Sequence, residues 1–152
     1  MGKYELLTQG LSTESHLNKI KEVFGGKNLR KVIFFTAFLT HNGIIHLKEL
    51  IEHFPTDTTF IVGIGNNVTT YQGLTSILSF LKKVYVVDTG SQAIVFHPKL
   101  YYAEYENCIK LIVGSANMTI GGLNNNIEFS SIVEVSDTDS DFNEIKKKIL
   151  IL

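Results

Sequence analysis

The chain lacks most of the features that quickly place a protein in a class. It has one cysteine, Cys108, so neither an intramolecular disulfide nor a cysteine-based zinc site can form. Cys108 sits in an apolar run and reads as a small buried hydrophobe rather than a nucleophile. No charge of one sign dominates: 14 Lys and Arg stand against 15 Asp and Glu, for a formal net charge of −1. That excludes a protein that coats nucleic acid by bulk charge, and leaves room only for a local basic site. No window approaches ~18 uninterrupted apolar residues, so no membrane span is expected. The opening MGKYELLTQG lacks the apolar stretch of a secretory leader. Leu6 occupies the position where a myristoylation signal needs Ser or Thr. There is no repeat, low-complexity tract or linker. The expectation is a soluble, cytoplasmic, reducing setting and one domain over 1–152, possible as part of a longer multidomain protein.

The composition itself is globular, with 44% apolar and 19% charged residues. Periodicity places a short strand at 4–8. A helix follows, carrying Leu17, Ile20, Val23 and Phe24, capped from Ser12–Ser15 and stopped at Gly25-Gly26. Continuous apolar runs predict buried strands at 31–39, 58–65 and 84–87. Helices are expected at 41–53, capped by Thr40 and closed by Pro55, and at 69–82. This strand-helix rhythm predicts an α/β fold, a mixed but largely parallel sheet flanked by helices. After Asp88 the rhythm changes. Strands at 93–103, 108–113 and 129–135 follow on short loops, antiparallel to one another, and a helix over 138–150 closes the chain.

Several motifs fail on inspection. Gly63-Ile-Gly65 lacks the third glycine of a dinucleotide turn. Asp137, Asp139 and Asp141 imitate a calcium loop, but Phe142 and Lys148 occupy its required Gly and Glu positions, so these acids read as a helix-start cluster. The spacings of His41, His46 and His53 do not make a zinc pair on one helix.

The stretch Phe96–Glu128 is different. On a strand, His97 and Lys99 share a face, with Tyr101, while Phe96, Pro98, Leu100 and Tyr102 face the other way toward the core. A side-by-side imidazole and ammonium suit an anion such as phosphate: the lysine supplies charge, the histidine a nucleophile, base or acid near neutral pH. Gly114-Ser115-Ala116-Asn117 leaves the next strand as a turn able to present hydroxyl and amide donors. A Gly- and Asn-rich loop follows, and Glu128 opens another strand. Taken singly, a His-x-Lys is surface decoration, Gly-Ser-x-Asn a turn, and Glu128 a solvated acid. Their joint occurrence on successive strands is what carries the signal.

In this order the residues resemble the His-Lys motif of the phospholipase D superfamily: His97, Lys99, Gly114, Ser115, Asn117 and Glu128. The wording FHPKLYY…LIVGSANMTIGGLNNNIE is most similar to its nuclease branch, which includes metal-independent restriction endonucleases. The resemblance implies a phosphodiesterase that cleaves DNA without metal or other cofactor through a phosphohistidine on His97. It implies that Lys99, Ser115 and Asn117 bind the phosphate oxygens, and that Glu128 holds a ring nitrogen of a motif histidine. The family's site uses two histidines, and one motif is present, so the expected unit is a homodimer sharing one site. Two departures stand out: Glu104 replaces the family's Asp, and the span from Glu104 to Gly114 is longer, which a longer turn at Tyr105–Asn107 absorbs. The competing readings are a phospholipid-headgroup hydrolase or transferase, weakened by the lack of a membrane-binding helix, and a non-catalytic nucleic-acid-binding or dimerisation module.

Overall fold

A computed structural model describes residues 2–81, 83–91 and 93–150, with the Asn66 side chain also outside the description. In chain order the elements are β1 (Lys3–Gln9), α1 (His16–Phe24), β2 (Lys31–Thr36), α2 (His41–Ile44), a 3-10 turn (Ile45–Leu47) and α3 (Lys48–Glu52). Then come β3 (Thr58–Gly63), a 3-10 turn (Gly65–Asn67), α4 (Tyr71–Phe80), β4 (Lys83–Val87), β5 (Lys99–Glu104) and β6 (Cys108–Gly114). A π turn (Gly121–Asn125), β7 (Glu128–Ser136) and α5 (Phe142–Leu150) complete the fold.

The seven strands form one sheet in the order β1-β7-β6-β5-β2-β3-β4. The mixed sheet with flanking helices is the expected architecture. Its parallel part is smaller than the rhythm predicts: only β2–β3 and β3–β4 pair in parallel, and the other four pairs are antiparallel. The cause is local. The short turn at 105–107 between β5 and β6 can only reverse the chain, since a parallel return needs a long crossover, while the longer 115–127 connection returns the chain antiparallel through the π turn. The β5–β6 turn is closed by the Tyr105 N–H donating to the Cys108 carbonyl at 2.8 Å.

The larger core lies on the α1–α4 face. Fully buried Phe34 on β2 stacks on Phe60 and Phe24 at 4.5 and 4.9 Å between centroids, and Tyr101 lies 5.0 Å away. Aromatic pairs at these separations add stabilisation beyond the area they bury. The second core, around Phe35, Tyr102, Ile109 and Val135, lies under α5. Both sheet faces are therefore cores, and Tyr101 is buried on the very face that carries Lys99.

Three expected elements differ. The 41–53 helix is broken into three short pieces. Its first turn is tied to the loop after β6, where Thr40 N–H donates to the Met118 carbonyl at 3.1 Å, while Leu47 and Ile51 anchor the remainder in the core. The strand expected at 93–103 begins only at Lys99. Its last pair with β2 is Thr36↔Lys99, β2 ends there, and Pro98 has no N–H to offer. The closing helix starts at Phe142, because 137–141 form a turn in which the Asp139 carboxylate accepts from the N–H of Ser136, the last residue of β7, at 3.0 Å. The acids thus sit in the turn ahead of the helix.

The strands terminate in register. Gln9 pairs Glu128, Thr36 pairs Lys99, Gly63 pairs Val87, and Gly114 pairs Ser130. All these residues lie at one end of the sheet, where the candidate site forms. Among the described residues no helix is long and apolar enough to cross a membrane.

Candidate active site

Register brings the strand-borne part of the motif together. Lys99 opens β5, Gly114 ends β6 and Glu128 opens β7, so three segments distant in sequence meet at one sheet edge. Gly114 is required there: a Cβ would collide with the Phe129 carbonyl and the Ser130 hydroxyl.

Lys99 is buried, and its Nζ lies 2.6 and 2.9 Å from Nδ1 and Nε2 of His97, and donates to the His97 carbonyl at 3.1 Å. His97 is outside the strand, exposed, and braced edge-on by Phe38 at 5.5 Å between ring centroids. Desolvation by these neighbours, then the Lys99 charge, holds the imidazole below its ordinary range. It is therefore neutral at pH 7, with a lone pair to give. Burial also lowers Lys99, against the opposing pull of Glu128.

Asn117 is placed by the loop after β2. Its Oδ1 accepts from Phe38 N–H at 3.2 Å, which fixes the amide orientation and leaves Nδ2 as an uncommitted donor. Thr36 pins the same region, donating to the Phe38 carbonyl at 2.8 Å and accepting from Met118 N–H at 3.0 Å. Buried Tyr101 donates to the Ala116 carbonyl at 2.6 Å and so fixes the turn from below.

Glu128 is buried, and its two oxygens are occupied. Ser115 donates its hydroxyl to Oε2, and Asn126 donates to Oε1 at 3.2 Å. The Ser115 oxygen also accepts from Phe129 N–H at 3.1 Å. Ser115 thus differs from the expected phosphate donor: its proton is spent on Glu128, and its role in this arrangement is to hold that carboxylate. No bond between Glu128 and His97 of the same chain is formed among the described residues.

A second group of residues carried no motif and was missed by sequence reasoning. His16, at the start of α1, is completely buried. Its Nδ1 lies 3.1 Å from Gln9 Oε1, and its Nε2 lies 2.7 Å from the Ser130 hydroxyl. Gln9 Oε1 can only accept, so Nδ1 carries the proton and Ser130 donates to Nε2. Gln9 Nε2 in turn donates to the carbonyls of Gly122 and Asn126 at 3.1 and 3.0 Å. Gln9 therefore clamps the π turn that delivers Asn126 to Glu128. Burial lowers His16 against the charge of Glu128, keeping the ring neutral. The one available signal was a polar pair, Gln9 and His16, in otherwise core-facing positions.

Glu104 and the lengthened turn are structural. Glu104 accepts from Tyr102 at 2.7 Å and from Lys146 at 2.6 Å, fastening α5 to β5. Burial works to raise its carboxyl, but the Lys146 ammonium and the Tyr102 hydroxyl outweigh it and hold the group below the usual range. Cys108 is only half-buried, with burial raising its thiol. His41, His46 and His53 are exposed; His41 lies 2.8 Å from the Ser76 hydroxyl and His53 2.6 Å from the Glu49 carbonyl. Among the described residues no three His, Cys, Asp or Glu side chains cluster as a metal site.

No protein-family model matches the chain, and no curated protein does. Solved structures do. The chain superposes on Nuc, a phospholipase D family member from Salmonella typhimurium, with a TM-score of 0.65 and 10% identity, over 99% of this chain and 90% of that one. This is a phospholipase D-like fold. NucT from Helicobacter pylori gives a TM-score of 0.58 and 13% identity over 97% and 93% of the two chains. Yeast tyrosyl-DNA phosphodiesterase gives 0.55 and 17%, covering 87% of this chain. The chain spans about a third of the length of that yeast enzyme, at 31%.

Proposed function

We propose that this protein is a metal-independent phosphodiesterase that cleaves DNA through a phosphohistidine, in the manner of the catalytic domain of a restriction endonuclease. The observation that carries the reading is the contact of an exposed, neutral His97 ring with the Lys99 ammonium, with Asn117 tied through its Oδ1 to Phe38, whose ring braces His97. His97 attacks phosphorus, the bond to the leaving oxygen breaks, and a second histidine protonates that oxygen. The same histidine then takes a proton from water, which attacks the phosphohistidine and frees His97. Lys99 and Asn117 donate to the non-bridging oxygens as charge builds on them. The DNA-processing role of the superposed yeast phosphodiesterase supports the substrate assignment by analogy of fold.

The second histidine is best supplied by a second copy. Within the chain the candidate near Glu128 is His16, and it is fully buried with both ring nitrogens engaged. A homodimer would bring two copies of His97, Lys99, Asn117 and Glu128 to one two-fold site, and Glu128 would then orient a ring from either chain. A soluble, cytoplasmic, single-domain unit suits this reading.

The deciding experiment is a nuclease assay on plasmid and oligonucleotide DNA in excess EDTA, with wild type and His97→Ala. Cleavage that persists in EDTA and disappears in the variant is expected; abolition by EDTA would sink the mechanism. Sedimentation alongside activity tests the dimer: a fully active monomer at all concentrations rules out a shared site.

A further inference from the structure

The charge at the site end of the sheet is unusual for a protein that handles a polyanion. Five connections leave or enter the strands at the site end: 10–15, 37–41, 64–70, 88–98 (residue 92 lying outside the described residues) and 115–127. They contain no lysine and no arginine, and their acids are Glu14 and Asp88 alone. Lys99 is the cation the strand ends supply there. The other basic residues of the sheet are at the far end: Lys31 and Lys83 pair with Asp57 and Lys110 with Glu134, Arg30 just ahead of β2 pairs with Glu106, and Lys3 opens β1 there. In place of charge, the site end exposes neutral and apolar groups. Tyr71 is 77% exposed at the start of α4, Ile94 is 67% and Ile127 is 64% exposed, among loops rich in Asn, Thr and Ser.

A protein that grips a nucleic-acid backbone neutralises several phosphates with lysine and arginine, and releases a counterion for each. Among the described residues at this end of the sheet, only Lys99 is placed to do this. Exposed aromatic and aliphatic side chains do the opposite job, holding planar or apolar groups without regard to charge. We infer that this site takes its substrate one phosphodiester at a time, contacting the uncharged groups on either side of it and none of the flanking phosphates. The ligand class is a phosphodiester with neutral, planar or apolar flanks, for which a dinucleotide is already complete. This rests on the phosphodiesterase reading above, and it makes the chain a chemical unit that contributes little electrostatic capture of long nucleic acid.

The test compares the dinucleotide TpT with an oligothymidylate of about 20 nucleotides, over salt from about 50 to 500 mM, at a pH above the imidazole range. Wild type in EDTA reports kcat/KM, and His97→Ala reports Kd without turnover. Two Lys99 in a dimer allow a log–log salt slope of about −1.4 on single strands. The expected results are a slope no steeper than about −2 and a kcat/KM that is the same within about tenfold for the two lengths. A steeper slope, or a gain above tenfold with length, overturns the inference. Asn42→Lys and Asn124→Lys place new cations on exposed rim positions. Each adds two cations per dimer and is expected to steepen the oligomer slope by up to about 1.4, and no change in either would show that the flanks do not cross this rim. Absence of His97-dependent turnover on every substrate would instead refute the phosphodiesterase reading, and the Kd slope would still decide the inference.

Discussion

The two halves of the sheet are built on different principles. In the parallel half, β2–β3–β4, residues from consecutive apolar runs stack in register, as in Phe34↔Phe60 and Phe60↔Val84, and the candidate site reaches in only at Thr36, the last residue of β2. In the antiparallel half, β5–β6–β7–β1, polar groups are buried at the strand ends, Lys99, Glu128, Ser130 and Gln9, with His16 at the start of α1 beside them. The difference is that of a scaffold stabilised by burial and a site stabilised by completed hydrogen bonds. Buried polar groups cost stability unless every donor and acceptor is matched, and among the described residues no buried side-chain polar atom lacks a partner. The buried polar groups of the site half are thus all matched, through pairings between distant segments.

That contrast breaks most sharply at His97. His97→Ala should lower phosphodiesterase turnover by about a thousandfold or more, with the denaturant midpoint unchanged because the side chain is exposed. Turnover of bis(p-nitrophenyl) phosphate in EDTA, beside a urea melt, measures both. The scaffold half should show the reverse. Phe34→Ala removes a fully buried ring and should cost about 3–5 kcal/mol of stability, while the folded fraction at low temperature keeps the wild-type pH profile.

Gln9→Ala should couple the halves of this comparison. It leaves the His16 ring, its backbone N–H and two carbonyls of the π turn without their partner, costing about 1–3 kcal/mol. If the clamp positions Glu128, kcat should fall more than KM changes; a stability loss with unaltered kcat would reduce the network to packing.

Two pH effects are smaller. The folded His97 is held below 6.5, so it stays unprotonated as pH falls through that value, and the acid limb of kcat/KM should lie below it. Lys99→Met removes the charge that helps lower His97, and the residual activity should show that limb moved upward. His16 is also lowered from 6.5 by burial. Above 6.5 it is neutral folded and unfolded, so no stability is at stake there. As pH falls below 6.5 the unfolded chain takes up a proton that the folded ring refuses, so stability declines until the folded pKa is reached. A urea-melt series across this window should show the decline in wild type and a weaker one in His16→Gln.

Much of this protein could be read without coordinates. Hydrophobic runs located the strands, and the order of His97, Lys99, Asn117 and Glu128 along the chain named the candidate site, because period-2 and period-3.6 burial and the sequence of chemical groups are written along the chain. The boundaries were less legible: β5 starts at Lys99, and not at 93, because β2 stops at Thr36, and a strand cannot outlast its partner. Only tertiary structure could reveal Gln9, His16 and Ser130, three ordinary residues that become a network because β1 pairs with β7 and α1 begins beneath them. The same is true of Ser115, whose hydroxyl was free to face a phosphate in the sequence and is bound to Glu128 in the fold. Local order in the chain determined which groups were present. Which of them remained free to act was decided by what each one met across the sheet, because a hydrogen-bonding group's role depends on its partner, and the partners are set by long-range register.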